Sequence, residues 1–318
     1  MSDSIQGDEM NADRLSSFLL KNGGLKPVRL TSIQEHVVYI ETNEGERLIL
    51  KRHNNKLRVE QQWHFFEQQS SSIPVSFQRF PNQKQFLYDN GRYWTISPYI
   101  HGRKLNYVFA KDRKDALNVL KMFHNDTKGV KIRHPLIKEM FYVKWHKRLQ
   151  KFMYTEPIFK EYRFNPLFTD IVQTAEKYLQ LVSAFNWGEL HDKARQLGTW
   201  IHGDVAAHNF IRSSGQIHLI DFDLLSCAPP LNDYIQIGQR YLPYLNWDLD
   251  RLLSYKIVPQ KTIKPWLYSI FIPSDVMREW LYFLDSNSER PIRNYLEELE
   301  MDWLKRQYFL KTARKMLN

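Results

Sequence analysis

The stretch richest in chemically useful residues is His202-Gly203-Asp204-Val205-Ala206-Ala207-His208-Asn209-Phe210-Ile211. Twelve residues after Asn209 comes Asp221, in His218-Leu219-Ile220-Asp221-Phe222-Asp223. Each acidic group stands where a short apolar run gives way to a loop, a placement that suggests carboxylates converging on one site. Phosphoryl transfer is the chemistry that needs such a set. A triphosphate carries several negative charges that metal ions must bridge, and Mg²⁺ takes carboxylate and amide oxygens alongside phosphate and water. An Asp near an acceptor hydroxyl orients it and takes its proton. An Asn five residues on reaches the metal from the same loop, and an Asp from a neighbouring hairpin completes the metal site. A lysine held by a helix glutamate can grip the α- and β-phosphates.

The rest of the chain has to position these groups. Its 318 residues (38.3 kDa) suggest about two domains or one two-lobed enzyme. A hydrophobic fraction of 43% and an aromatic fraction of 14% exclude low-complexity and collagen-like chains. The single cysteine, Cys227, rules out a disulfide-stapled domain and points to a reducing compartment and an inert thiol. No run approaches the ~18–20 apolar residues of a membrane helix, and the polar start of the chain has no signal-peptide core. The expectation is a cytoplasmic globular protein. The net charge of +10 favours contact with anions without choosing among them.

Residues 1–11 read as a flexible N-terminal tail, and residues 13–21 as a short helix. Strands are expected over 28–32, 36–41 and 47–51, the last ending in Lys51, with a turn at Asn43-Glu44-Gly45-Glu46. A helix over 58–69 follows, then weaker strands over 75–79, 86–88 and 93–97. After residue 100 the spacing turns helical, over 111–124, 136–154, 168–181 and 187–197. Two short apolar pieces, 199–201 and 217–220, interrupt the helices. The reading is α+β: a small antiparallel β N-lobe over 12–100 and a larger, mainly α C-lobe over 101–318. The basic and aromatic residues of 139–164 suit an amphipathic helix with its rings in the core, and nucleic acid is not expected as a partner.

HGDxxxxN followed by IDFD resembles the aminoglycoside-phosphotransferase and choline-kinase branch of the protein-kinase-like fold. Leu50-Lys51, Pro74-Val75, Tyr99-Ile100-His101-Gly102, Phe123-His124 and Asp233-Tyr234 support the resemblance, which spans roughly residues 25–245. The wording WIHGDVAAHNFI is most similar to spore-coat-associated CotS/YutH-type proteins. The resemblance implies a two-lobed protein-kinase-like fold using ATP and Mg²⁺. In that pattern Asp204 is the catalytic aspartate, Asn209 and Asp221 are metal ligands, and Lys51 is the phosphate-holding lysine. Glu60 is favoured over Glu67 as the partner of Lys51. Asp223 is a second metal contact or a brace for the loop, and Asp233 caps or anchors the catalytic loop. His202 and His124 read as supporting, packed histidines.

Two departures stand out. Thr31-Ser32-Ile33-Gln34-Glu35, expected as the loop between the first two strands, has no glycine to let backbone N–H groups approach phosphate, and its Glu35 would repel one. His208 replaces a small residue and either contacts a substrate or crowds the site. The expectation is a spore-coat-associated, ATP/Mg-dependent phosphotransferase acting on a hydroxyl of a small molecule or coat component. The alternative is a catalytically silent kinase-like structural protein of the coat, with other coat proteins as partners.

Overall fold

The computed structural model describes residues 2–286 and 288–317; the side chains of residues 2–12 and 317 lie outside the description. The tail expected over 1–11 falls there, apart from the backbone course of helix α1 (Ser2–Gly23). Strands β1 (Pro27–Gln34), β2 (Val37–Thr42) and β3 (Arg47–His53) follow, then helix α2 (Lys56–Gln68) and strands β4 (Leu87–Asp89), β5 (Arg92–Pro98) and β6 (Arg103–Lys104). Next come helices α3 (Ala110–Asp126), α4 (Phe141–Met153), α5 (Glu156–Glu161), α6 (Asn165–Ser183) and α7 (Trp187–Leu197). Short strands β7 (Trp200–Ile201), β8 (Phe210–Ser213), β9 (Gln216–Leu219) and β10 (Ser226–Cys227) interrupt the helices. Helices α8 (Leu231–Tyr241), α9 (Leu249–Ser254), α10 (Ile263–Phe271), α11 (Ser274–Asp285) and α12 (Ile292–Leu317) follow.

The chain divides into two compact units. The first holds residues up to Leu105 together with 125–136 and 208–225; the second holds 106–124, 137–207 and 226–318. Residues 208–225, which the sequence places after its break at residue 100, belong to the first unit for a reason of pairing. Strand β8 pairs antiparallel with β6, and Leu219 exchanges backbone hydrogen bonds with Ile73 and Val75 at 2.8 and 2.9 Å. Gly102 makes the approach possible, because a Cβ there would run into the carbonyl of Arg212.

In the first unit a five-stranded antiparallel sheet runs in the order β1-β2-β3-β5-β4. The period-2 alternation of β3 sets its two faces. Leu48 and Leu50 are buried in a core with Leu19, Leu25, Ile40, Phe80, Leu87 and Ile96, against which Leu15 and Phe18 of α1 pack. Ile49 and Lys51 therefore present to the other face. The strand expected over 75–79 reduces to single bridges, Pro74 with Leu219 and Gln78 with Ile96. The expected open loop at 31–35 is also corrected. Strand β1 runs on to Gln34, paired with Val37, so only Glu35 and His36 make the turn. β-branched Thr31 and Ile33 favour strand over an open loop.

The second unit is helical. Trp145, Leu149 and Phe152 of α4 are buried, as its amphipathic spacing requires, with Phe152 stacked on Phe168 of α6 at 5.4 Å and Phe159 against Trp280 at 4.9 Å. The helix starts five residues later than the expected 136, since the Leu136 N–H donates to the Gln61 side chain at 2.7 Å instead of entering a helix. Among the described residues no helix is long and apolar enough to cross a membrane.

Candidate active site

The predicted site residues fall into two groups, one in each unit. In the first unit Lys51 projects from β3 into a cavity of about 230 Å³ lined by Asn209, Asp221 and Asp223 and walled by apolar side chains, among them Val37, Ile49 and Phe66. The Lys51 Nζ lies 2.7 Å from Asp221 Oδ1 and 2.9 Å from Asp223 Oδ2. Burial pushes the Lys51 ammonium towards losing its proton, but the charges of Asp221 and Asp223 outweigh it and hold the pKa above the usual lysine value. Asp223 Oδ1 is buried with no hydrogen bond among the described residues, 3.7 Å from Nδ1 of His53. His53 is itself buried, its Nε2 2.9 Å from Thr95 Oγ1. Burial pulls its pKa down to about 4, so the ring is neutral at ordinary pH.

The backbone holds these groups in place. Ile220 N–H donates to the Asn209 carbonyl at 3.0 Å, closing the β8–β9 hairpin beneath Asp221. Asp221 has a left-handed backbone, φ 64°, which turns the chain out of the strand. Phe222 packs against Phe65 and Phe66 of α2, with centroids 6.4 and 5.4 Å apart. Gln61 ties the same helix to the end of the segment, donating to the Leu225 carbonyl at 3.0 Å.

Glu60 is corrected. It pairs with Lys56 one helical turn back, at 3.0 Å, while the carboxylates beside Lys51 come from Asp221 and Asp223. Helical phase explains this: Val59, Gln62 and Phe66 share the buried stripe of α2, and Glu60 lies off it. Gln62, overlooked in the sequence, lines the Lys51 cavity where a glutamate was expected. Glu67 pairs with Arg79 at 2.9 Å. Glu35 is balanced by Arg52 at 3.1 Å, and His208 lines the cavity.

The second group is the loop that carries Asp204. Asp233, fully buried on α8, accepts the backbone N–H groups of His202 and Gly203, each at 2.9 Å, and the Nε2 proton of His124 at 2.9 Å. The other ring nitrogen of His124 meets the Tyr234 hydroxyl at 3.1 Å. Burial pushes the Asp233 carboxyl up, but these hydrogen bonds and the two histidines outweigh it and hold the pKa below the usual carboxylate value. His202 is buried and accepts the Asp204 N–H at 3.3 Å. Gly203 takes φ 84°, which a side chain would oppose. Gln236 donates to the Gly203 carbonyl at 2.9 Å, and Tyr107 to that of Val205 at 2.7 Å. Arg240 Nη2 holds Asp204 Oδ1 at 2.7 Å.

Arg240 and Gln236 were not singled out from the sequence. Their signal was available: counted from Asp233, Gln236 stands at i+3 and Arg240 at i+7, so one stripe of α8 addresses the loop. Cys227, half-buried, has its thiol pKa pushed up by burial, consistent with an unreactive side chain.

Residues 139–248 match the sequence model of the phosphotransferase enzyme family, a span that includes Asp204, Asn209, Asp221 and Asp223. No curated protein matches the chain by sequence. Among solved structures the chain is similar to an aminoglycoside phosphotransferase from Alicyclobacillus acidocaldarius, with a TM-score of 0.69 at 18% identity over 91% of this chain and 92% of that one. A spectinomycin phosphotransferase solved with ADP and spectinomycin gives 0.59 at 12% identity, covering 91% and 93%. An amicoumacin kinase solved with AMP-PNP and Ca²⁺ gives 0.58 at 14% identity, covering 98% and 96%. The chain thus has the fold of the kinase-like phosphotransferases, and residues 139–248 carry the sequence pattern of that enzyme family.

Proposed function

We propose that the protein is an ATP- and Mg²⁺-dependent phosphotransferase that acts on a hydroxyl group. One observation carries the reading: an apolar-walled cavity whose polar end gathers one buried ammonium, two carboxylates and a carboxamide, Lys51, Asp221, Asp223 and Asn209. The apolar walls suit a nucleoside, and the polar end suits a triphosphate with its cation. The neighbours solved with ADP or AMP-PNP support a nucleotide as occupant.

The donor set fits Mg²⁺. It is all oxygen, and Asp223 Oδ1 is buried with no hydrogen-bond partner among the described residues. Asp221, Asp223 and Asn209 would hold the ion, which would neutralise charge on the triphosphate. Lys51 turns its ammonium from the two carboxylates to phosphate oxygens. Asp204 orients the acceptor hydroxyl and takes its proton, with Arg240 fixing the carboxylate through one oxygen. Asp233, His124 and His202 act through the backbone and keep the 202–204 segment from relaxing.

The finer setting, association with the bacterial spore coat, rests on the sequence resemblance alone. A second reading, a kinase-like coat protein that transfers no phosphate, is favoured by the glycine-free turn at Glu35-His36. Thermal unfolding with and without Mg·ATP separates the two. A ligand at 100 times its Kd adds about 2.7 kcal/mol. The enzyme reading expects a metal-dependent rise in Tm that disappears in Asp221→Asn. It also expects phosphate transfer that Asp204→Ala lowers by about 10²–10⁴-fold. An unchanged Tm at saturating Mg·ATP would favour the silent protein.

A further inference from the structure

Beyond the nucleotide cavity, we propose that the first unit carries a second anion site, for a small ligand bearing phosphate, built around Arg52, Arg58 and Arg92. A separate cavity of about 370 Å³, within the range of about 300–1,000 Å³ usual for small-molecule pockets, opens where β3 turns into α2. Its walls bring together three guanidiniums from β3, α2 and the start of β5, with Asn54, Asn55 and Gln62.

The charges are disposed for an incoming anion. Arg92 donates to the neutral side-chain oxygen of Asn54, and the Arg58 side chain has no partner among the described residues. The two carboxylates on the cavity wall already have cations: Glu35 has Arg52 at 3.1 Å, and Asp223 has Lys51 at 2.9 Å. The 13-residue helix α2 starts here with no acidic residue in its first turn, so its N-terminal dipole adds to the positive field. Gln62 lines this cavity and offers its amide there. A bound oxyanion would accept from its NH₂. Guanidiniums match phosphate oxygens two at a time, which favours phosphate over a halide.

Gln62 and Asp223 also line the Lys51 cavity, so an occupied anion site bears on the nucleotide site through two shared side chains. The proposal does not require phosphotransfer. The test is titration calorimetry of the full chain with inorganic phosphate at constant ionic strength, on the wild type, on Arg58→Gln/Arg92→Gln and on Lys51→Met. Both arginines are exposed, so their replacement leaves the fold in place. Saturable binding that weakens at least about tenfold in the double arginine variant, and by less in Lys51→Met, which bares the Asp223 carboxylate on the cavity wall, is the expected result. Equal binding by wild type and double variant overturns it, as does the absence of saturable binding. Loss in Lys51→Met with retention in the double variant also overturns it, by assigning the phosphate to the nucleotide cavity. Mg·ATP binding by the double variant, measured alongside, reports separately on the phosphotransferase reading.

Discussion

The two groups of acidic residues are held in opposite ways. Asp233 is fully buried, and its oxygens go to two backbone N–H groups and the His124 ring. Asp221 and Asp223 have side chains 44% and 40% exposed and share the ammonium of Lys51. A backbone shape that must not change is built from buried, directional bonds, which are costly to break. Charges that are to exchange partners stay near solvent, balanced by a long side chain that can swing away. The first arrangement stores stability, and the second stores affinity.

Substitutions can break this contrast. The largest effect expected is from Asp233→Ala, which strands two backbone donors and His124 in the interior and should cost about 3–5 kcal/mol in denaturant unfolding. Asp221→Asn, at a half-exposed ion pair, should cost under about 1 kcal/mol in the same assay while abolishing the response to Mg·ATP. Equal losses from the two would erase the distinction.

Next in size, Lys51→Met should lower Mg·ATP affinity by about ten- to a hundredfold, the worth of charge-assisted hydrogen bonds to phosphate. The same variant relieves Asp221 and Asp223 of their shared ammonium, so Mg²⁺ alone should raise its Tm more than that of the wild type. A smaller effect concerns acid. The Asp233 pKa lies below its ordinary value in the folded chain, so its contribution is present above about pH 4 and is lost as the pH falls through the folded-state value. Asp233→Asn should therefore flatten the acid limb of a stability–pH curve. Smallest of all, Glu60→Gln should leave Mg·ATP affinity within about twofold, because Glu60 pairs with Lys56.

Much of this was legible from local pattern. Alternation marked β2 and β3, spacing marked Asp204, Asn209 and Asp221, and the family resemblance marked Asp233. What escaped was helical phase. Glu60 offered the expected charge, but the stripe through Val59, Gln62 and Phe66 turns Gln62 to the cavity. Arg240 escaped because its partner stands 36 residues earlier, and its only signal was the helical stripe it shares with Asp233 and Gln236. The turn at Glu35-His36 reads from sequence as a longer loop because the expected first strand ends at Ser32, short of Ile33 and Gln34.

The backbone of Asp221 has a consequence for how this chain would evolve. At φ 64° an L-residue is held about 1 kcal/mol less comfortably than glycine, with aspartate among the more tolerant types. Selection for heat resistance alone would therefore tend to replace this carboxylate with glycine, whereas selection for a working cation site would retain it. A thermostability screen run without substrate should recover glycine at this position, which makes Asp221 a gauge of what the lineage has been selected to keep.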